Sequence, residues 1–86
     1  MEVNFYGKIL EFTNGEKSHE LNDCSNIQEL IEKLASFYGE KFKQFLIGEN
    51  TCFFLVNGKG IMMTGGLETK LTSGDKVEVL PFADAG

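Results

Sequence analysis

The stretch that decides the fold is residues 71–86, LTSGDKVEVLPFADAG. Residues 73–75, Ser-Gly-Asp, form a turn signal, because glycine tolerates a positive φ and aspartate can hydrogen-bond its own backbone. The alternation Val-Glu-Val at 77–79 then predicts a strand with one buried face. Because proline has no N–H to donate to a neighbouring strand, the strand should end near Pro81. Residues 82–86 follow as a short segment of mostly small side chains.

Length and charge limit the class of protein. A chain of 86 residues predicts one small domain, which buries only about 60 to 65% of its unfolded surface. The 13 acidic and 8 basic residues give a net charge of −5, and every basic residue is lysine. Without arginine there is no bidentate group for phosphate or guanine, so the composition disfavours nucleic-acid binding.

The sequence predicts neither a membrane span nor a secretion signal. The longest apolar runs, such as residues 52–56, are far shorter than the roughly 20 residues that a span needs. Residues 1–4, Met-Glu-Val-Asn, contain no basic region and no long apolar segment. We therefore expect a soluble, cytoplasmic protein.

Metal and phosphate sites are not indicated. Cys24 and Cys52 are too few for a disulfide framework, a structural zinc site or an iron–sulfur cluster, and we expect both to be reduced. His19 has no partner at ligand spacing, and the alternation around it favours a solvated strand position. The glycines at 58–60 and 65–66 do not follow the order of a phosphate-binding loop and instead predict turns.

The N-terminal residues predict a hairpin. Residues 3–6 alternate between apolar and polar side chains and indicate a first strand. The dipeptide Asn14-Gly15 favours a turn, so residues 16–21 should return beside the first strand. Residues 9–12 between them predict a longer, partly helical connection.

One helix is predicted from Ser25 onwards. Ser25 is a good N-cap, and Gln28 completes a capping box three residues later. Apolar side chains then fall on one helical face, at Ile27, Leu30, Ile31, Leu34 and Tyr38. Gly39 is a natural stop for this helix.

The second half of the chain predicts one apolar strand. Residues 42–47 indicate a short helical turn or loop, and residues 61–63 a short edge strand within the loop 60–70. Residues 52–56 are apolar at every position, so that strand is either central and covered or keeps one face for a partner. This order predicts an α+β fold in which one main helix packs across a mixed sheet of four to five strands, with the last strand inserted beside the first.

This order and its motifs resemble the ubiquitin-like β-grasp sulfur carriers of the MoaD/ThiS family, and within it the small subunits of molybdopterin synthase. The resemblance covers essentially the whole chain. It rests on residues 3–11, on Leu-Val-Asn-Gly at 55–58, and on the Gly-Asp-x-Val-x-x-x-Pro ending at 74–81. It implies a β-grasp domain over residues 1–81 and a flexible C-terminal tail over residues 82–86.

The resemblance implies a carrier and not an enzyme. In this family an ATP-dependent enzyme adenylates the terminal glycine carboxylate, and a persulfide sulfur then displaces AMP to give a thiocarboxylate. Here Gly86 would carry the sulfur, and the residues threading into the partner's active site would be Phe82, Ala83, Asp84 and Ala85. The carrier itself would bind no cofactor, since ATP and a sulfur donor are used by the activating partner.

The implied partners are a ubiquitin-activating-type adenylyltransferase and the molybdopterin synthase large subunit or an equivalent. The carrier alone is expected to be a monomer, with no nucleic-acid or membrane partner. Four positions depart from the family pattern: Ala85 replaces a glycine, Leu10 an arginine and Phe82 a proline, while Asp84 adds a charge. These departures indicate a divergent branch with its own partners.

A partner-binding surface is also expected from strand alternation. If the alternate residues of the first and last strands are core, Tyr6, Leu80 and Phe82 face outward, and Pro81 is assigned to the same surface. Phe54 joins them, or Phe53 in its place, depending on the register of the third strand. Such an aromatic patch beside the tail would favour partner binding, and the alternative is that it covers a second core layer or the loop 60–70.

Three functional classes remain open. The first is a sulfur carrier for molybdenum or tungsten pterin cofactor synthesis. The second is a ubiquitin-like modifier joined through Gly86 to lysines of other proteins. The third is a β-grasp binding module whose terminus does no chemistry, which Ala85 favours. An independent enzyme is disfavoured, because no nucleophile, base and orienting group can be identified together.

Overall fold

A computed structural model describes residues 1–49 and 51–82 and contains a five-stranded mixed sheet with its helices on one face. The strands are β1 Glu2–Phe5, β2 Ser18–Glu20, β3 Cys52–Val56, β4 Lys59–Gly60 and β5 Lys76–Pro81. Their order in the sheet is β2-β1-β5-β3-β4. The pair β1 and β5 is parallel and the other pairs are antiparallel. The predicted α+β class and the predicted N-terminal hairpin are confirmed.

The last strand lies in the middle of the sheet, as predicted. Val77 and Val79 of β5 stand opposite Val3 and Phe5 of β1, and all four side chains are buried. Phe54 of β3 lies opposite Val79 on the same face. Alternating apolar residues on three adjacent strands therefore form one continuous layer of the core.

Helix α1, Ile27–Tyr38, covers this layer with the predicted stripe, which is fully buried at Ile27, Leu30, Ile31 and Leu34. Its N-cap is Asn26 and not Ser25, so the predicted cap is wrong by one residue. Asn26 pairs with Lys70 in an isolated bridge that holds its backbone extended. Its side chain accepts the Glu29 N–H at 2.9 Å, while the Glu29 carboxylate accepts the Ser25 N–H at 2.8 Å.

A second helix, α2, spans Glu40–Ile47, where only a helical turn or loop was predicted. Gly39, with φ of 105°, ends α1 and begins α2, because a positive φ permits the change of direction between them. Phe42 and Leu46 of α2 are buried. The Phe42 ring stacks on Phe12 at 5.2 Å between centroids, which closes one end of the core.

Two connections contain 3-10 helices near the sheet. The first, Gly7–Glu11, is the partly helical connection that the sequence predicts. The second, Ile61–Met63, replaces the predicted edge strand, which is therefore wrong. The edge strand β4 ends before Ile61, because it pairs with β3 over two residues only. The Thr64 N–H then donates to the Ile61 carbonyl at 3.0 Å, which forms a helical turn in place of a strand.

Within residues 1–49 and 51–82, no helix combines the length and the apolar character that crossing a bilayer demands.

Candidate functional site

The C-terminal half of β5 turns alternate side chains away from the helices. Val77 and Val79 point into the core, so Glu78 and Leu80 lie on the outer face of the sheet. Leu80 stands directly opposite Phe53 of β3. Directly opposed side chains in an antiparallel pair are in contact, so these two residues form a partly exposed apolar pair.

Tyr6 extends this outer surface from the end of β1. Its backbone N–H donates to the Val79 carbonyl at 3.3 Å, and its hydroxyl donates to the Glu78 carboxylate at 2.9 Å. The hydrogen bond to Glu78 raises the pKa of the Tyr6 hydroxyl, so this group remains a donor at neutral pH. The ring itself stays 38% exposed.

Phe82 completes the surface where β5 ends. Its N–H donates to the Thr51 carbonyl at 3.2 Å, and its ring lies 5.7 Å from the ring of Phe53 between centroids. Both rings are exposed. We call the set Tyr6, Phe53, Leu80 and Phe82 the outer patch.

The register of β3 corrects one predicted member of this surface. Cys52 pairs with Pro81, so Phe53 falls opposite Leu80 and Phe54 falls opposite Val79. Phe54 is therefore a core residue with 4% exposure, and its placement on a partner-binding surface is wrong. A shift of one residue exchanges the two faces of a strand, and Phe53 takes the outer position.

Pro81 is half-buried at the edge of the outer patch. It packs against Gly7, which has φ of +61°, and a Cβ added to Gly7 would lie 2.9 Å from the Pro81 Cγ. The proline therefore both borders the predicted surface and fixes the end of β5 against the 3-10 helix that follows β1.

The predicted reactive end lies outside the described residues. Gly86, with Ala83, Asp84 and Ala85, is expected to enter a partner's active site, and the description ends at Phe82. Phe82, the residue that precedes this segment in the sequence, is therefore part of the outer patch.

The two cysteines are free, and both have raised thiol pKa values. Burial raises the pKa of Cys24 and raises that of Cys52 to about 11. Because the thiolate is the reactive form, neither group is a ready nucleophile at neutral pH. Among residues 1–49 and 51–82, no group of three or more potential ligands could hold a metal ion.

His19 lies on β2 and is half-buried, not fully solvated as predicted. Its ring packs on Phe37 at 4.5 Å between centroids, and its Nδ1 lies 2.9 Å from the Tyr38 hydroxyl. These contacts join β2 to the end of α1.

A second surface feature was missed by the sequence analysis. A groove of about 590 Å³ lies between the end of α2, β3 and the segment after β4. Its exposed walls include Ile47, Phe53, Met62, Leu67 and Phe82. No local pattern indicates this groove, because residues 47, 62, 67 and 82 meet only in the folded chain.

The chain is similar to known proteins both in sequence and in structure. The family model described as the ThiS family matches residues 3–84. A comparison with curated proteins gave no match. Among solved structures, a chain of the Amycolatopsis orientalis BexX/CysO complex superposes with a TM-score of 0.82 at 25% identity, covering 99% of this chain and 98% of that one.

Two further solved structures have the same β-grasp architecture. A Pyrococcus furiosus protein assigned as molybdopterin converting factor subunit 1 has a TM-score of 0.70 at 26% identity, with 93% of each chain covered. The small archaeal modifier protein 1 from Methanosarcina acetivorans has a TM-score of 0.82 at 22% identity, covering 99% of this chain and 94% of that one. The latter likeness concerns the fold alone.

Proposed function

Because the chain belongs to the ThiS family of small ubiquitin-like sulfur carriers, we propose that it carries sulfur on Gly86 for molybdopterin biosynthesis. In this proposal the Gly86 carboxylate is first adenylated and then converted to a thiocarboxylate. The observation that carries the proposal is the outer patch, which presents exposed apolar side chains where β5 ends.

The chemistry requires activation because a carboxylate is a poor electrophile. A Gly86 carboxylate oxygen attacks the α-phosphorus of ATP, and pyrophosphate leaves. A persulfide sulfur then attacks the acyl carbon, and AMP leaves. A second thiol cleaves the resulting sulfur–sulfur bond, which frees the thiocarboxylate and leaves a disulfide on the donor. ATP and the sulfur donor belong to the partner, and the carrier supplies only the acyl group.

The outer patch supports this proposal because only a short segment separates Phe82, in the patch, from Gly86. Gly86 lies four residues after Phe82, and four residues span at most about 14 Å when fully extended. An enzyme that holds Gly86 at its reaction centre must therefore approach Phe82 closely. Exposed aromatic side chains and the half-buried Leu80 at that point supply apolar area that such an enzyme can bury.

The proposed partners are an adenylyltransferase of the ubiquitin-activating type and a molybdopterin synthase large subunit or its equivalent. The likeness to the Pyrococcus furiosus protein assigned as a molybdopterin converting factor subunit supports this pathway. The Amycolatopsis orientalis complex of BexX with CysO supports a carrier that works with another protein. We propose that these steps take place in the cytoplasm.

The test is the intact mass of the protein after incubation with ATP, a sulfur donor and the adenylyltransferase of the same organism. We expect a gain equal to the replacement of one oxygen by sulfur. Deleting Gly86 should abolish the gain and leave thermal unfolding unchanged, since Gly86 lies beyond the last strand.

Three outcomes would contradict the proposal. A folded protein that gains no mass would favour a binding module without terminal chemistry. Higher-mass adducts on lysines of other proteins, in place of the thiocarboxylate, would favour a modifier. A Gly86 deletion that unfolds the domain would mean that this residue supports the fold and does not serve as a free acyl group.

A further inference from the structure

The groove beside β3 is built from three separate segments. Ile47 ends α2, Met62 lies in the 3-10 helix after β4, and Leu67 lies in the next 3-10 helix, Gly66–Glu68. All three side chains are exposed and line the same groove of about 590 Å³. A single exposed apolar residue is ordinary, but a convergent set that encloses a concave space is typical of an interaction site.

Met62 shows that this apolar surface is not a by-product of core packing. Its side chain is 89% exposed, whereas its neighbour Ile61 supplies the buried contact of the same 3-10 helix. Burial in the core therefore does not account for an apolar residue at this position.

The groove is continuous with the outer patch. Phe53 and Phe82 belong to both, and their rings lie 5.7 Å apart between centroids. A protein that takes up the residues after Phe82 must therefore approach the groove as well as the sheet.

The charge at the groove restricts the chemistry of its occupant. Among the described residues that line it, Glu49 is the only charged one, and it is exposed. An apolar side chain with a lysine or arginine beside it complements this arrangement, because the apolar group is buried while the basic group pairs with Glu49 at the rim.

We infer that the groove is a second docking site for the adenylyltransferase, which inserts an apolar side chain flanked by a basic residue. The inference rests on the proposed function and assigns to its partner a contact beyond the outer patch. The enzyme then holds the carrier from the sheet face and from the groove, with Phe82 between the two contacts.

The test uses two neighbouring methionines that differ in position but not in exposure. Met62 lines the groove, while Met63, 87% exposed, is not among its lining residues. Met62→Glu and Met63→Glu are compared by ATP–pyrophosphate exchange with the adenylyltransferase of the same organism. We expect Met62→Glu to raise KM about tenfold or more with kcat unchanged, and Met63→Glu to change KM less than about twofold.

A second readout separates docking from chemistry. The protein lacking Gly86 should act as a competitive inhibitor of exchange, because its docking surfaces remain. Adding Met62→Glu or Glu49→Lys to that variant should raise its inhibition constant by about the same factor as the rise in KM, about tenfold. Adding Met63→Glu should change the inhibition constant less than about twofold. Thermal unfolding of each variant confirms that the domain is folded.

The possible outcomes distinguish a failure of the groove inference from a failure of the proposed function. If wild-type protein is adenylated and the two methionine variants behave alike, the groove inference fails and the proposed function stands. If wild-type protein is not adenylated, both fail together. If the wild-type protein forms a dimer that Met62→Glu dissociates, the occupant is a second copy of the chain and the inference is overturned.

Discussion

At the scale of single residues, the half-buried Tyr38 determines how the hydrogen bonds around it are arranged. The Tyr38 hydroxyl donates to the Glu16 carboxylate at 2.6 Å, and burial together with Glu16 raises the pKa of Tyr38 to about 12. The hydroxyl has a single proton, and that proton is used in the hydrogen bond to Glu16. It can therefore only accept from His19 Nδ1, 2.9 Å away, so that nitrogen must carry a proton.

This geometry predicts the tautomer of neutral His19. We expect the proton on Nδ1, the minor tautomer of free histidine, and the ring ¹⁵N chemical shifts of the neutral imidazole measure it. Tyr38→Phe should return the ring to the Nε2–H form and lower the free energy of unfolding by about 1 kcal/mol. An Nε2–H tautomer in the wild-type protein would contradict the proposed direction of these hydrogen bonds.

At the scale of elements, contacts hold β5 at both of its ends. Before the strand, Asp75 accepts the Thr72 N–H and the Asn57 side-chain amide, each at 2.8 Å. After it, Pro81 packs against Gly7, where a Cβ would approach the Pro81 Cγ to 2.9 Å. These contacts hold both ends of β5 in the register that places Leu80 opposite Phe53 in the outer patch.

Gly7→Ala tests this second contact. Alanine at Gly7 incurs both the cost of φ +61° and the contact with Pro81, whereas Gly15, at φ +85°, has nothing within 4 Å of the added Cβ. We expect Gly15→Ala to lower the free energy of unfolding by about 1 kcal/mol, and Gly7→Ala by about 2 to 3 kcal/mol. Urea denaturation measures both, and equal losses would show that the contact with Pro81 is relieved at no cost.

At the scale of the whole molecule, the two faces of β3 contribute differently to the stability of the domain and to its exposed apolar surface. One face of the strand contributes Phe54 to a core shared with β1, β5 and the helices, and this buried ring also forms part of the groove wall. The other face contributes Phe53 to both the outer patch and the groove. Two adjacent phenylalanines therefore serve different purposes, because the sheet is covered by helices on one side only.

Phe54→Ala and Phe53→Ala should consequently differ in how much they affect stability and how much they affect adenylation. We expect Phe54→Ala to lower the free energy of unfolding by about 3 to 5 kcal/mol, since it leaves a cavity in the core. Phe53→Ala should cost about 1 kcal/mol or less in stability but raise KM for adenylation about tenfold. Chemical denaturation and ATP–pyrophosphate exchange measure the two effects. A larger stability loss for Phe53→Ala would contradict the observed register.

The sequence by itself determined those elements whose signal is local. The Ser-Gly-Asp turn and the alternation after it predicted β5, and the apolar stripe from Ile27 to Leu34 predicted α1. Both succeed because periodicity along the chain reports which side of one element is buried. The motif order and the ending at 74–81 were likewise sufficient to identify the family.

The tertiary structure decided what depends on contacts between distant residues. The run at 52–56 is apolar at every position, so it has no period from which to choose between Phe53 and Phe54, and only pairing with β5 makes that choice. The helix N-cap moved to Asn26 because a bridge to Lys70 holds that residue extended. The groove exists only because folding brings Ile47, Met62, Leu67 and Phe82 together, and no local pattern encodes such an assembly.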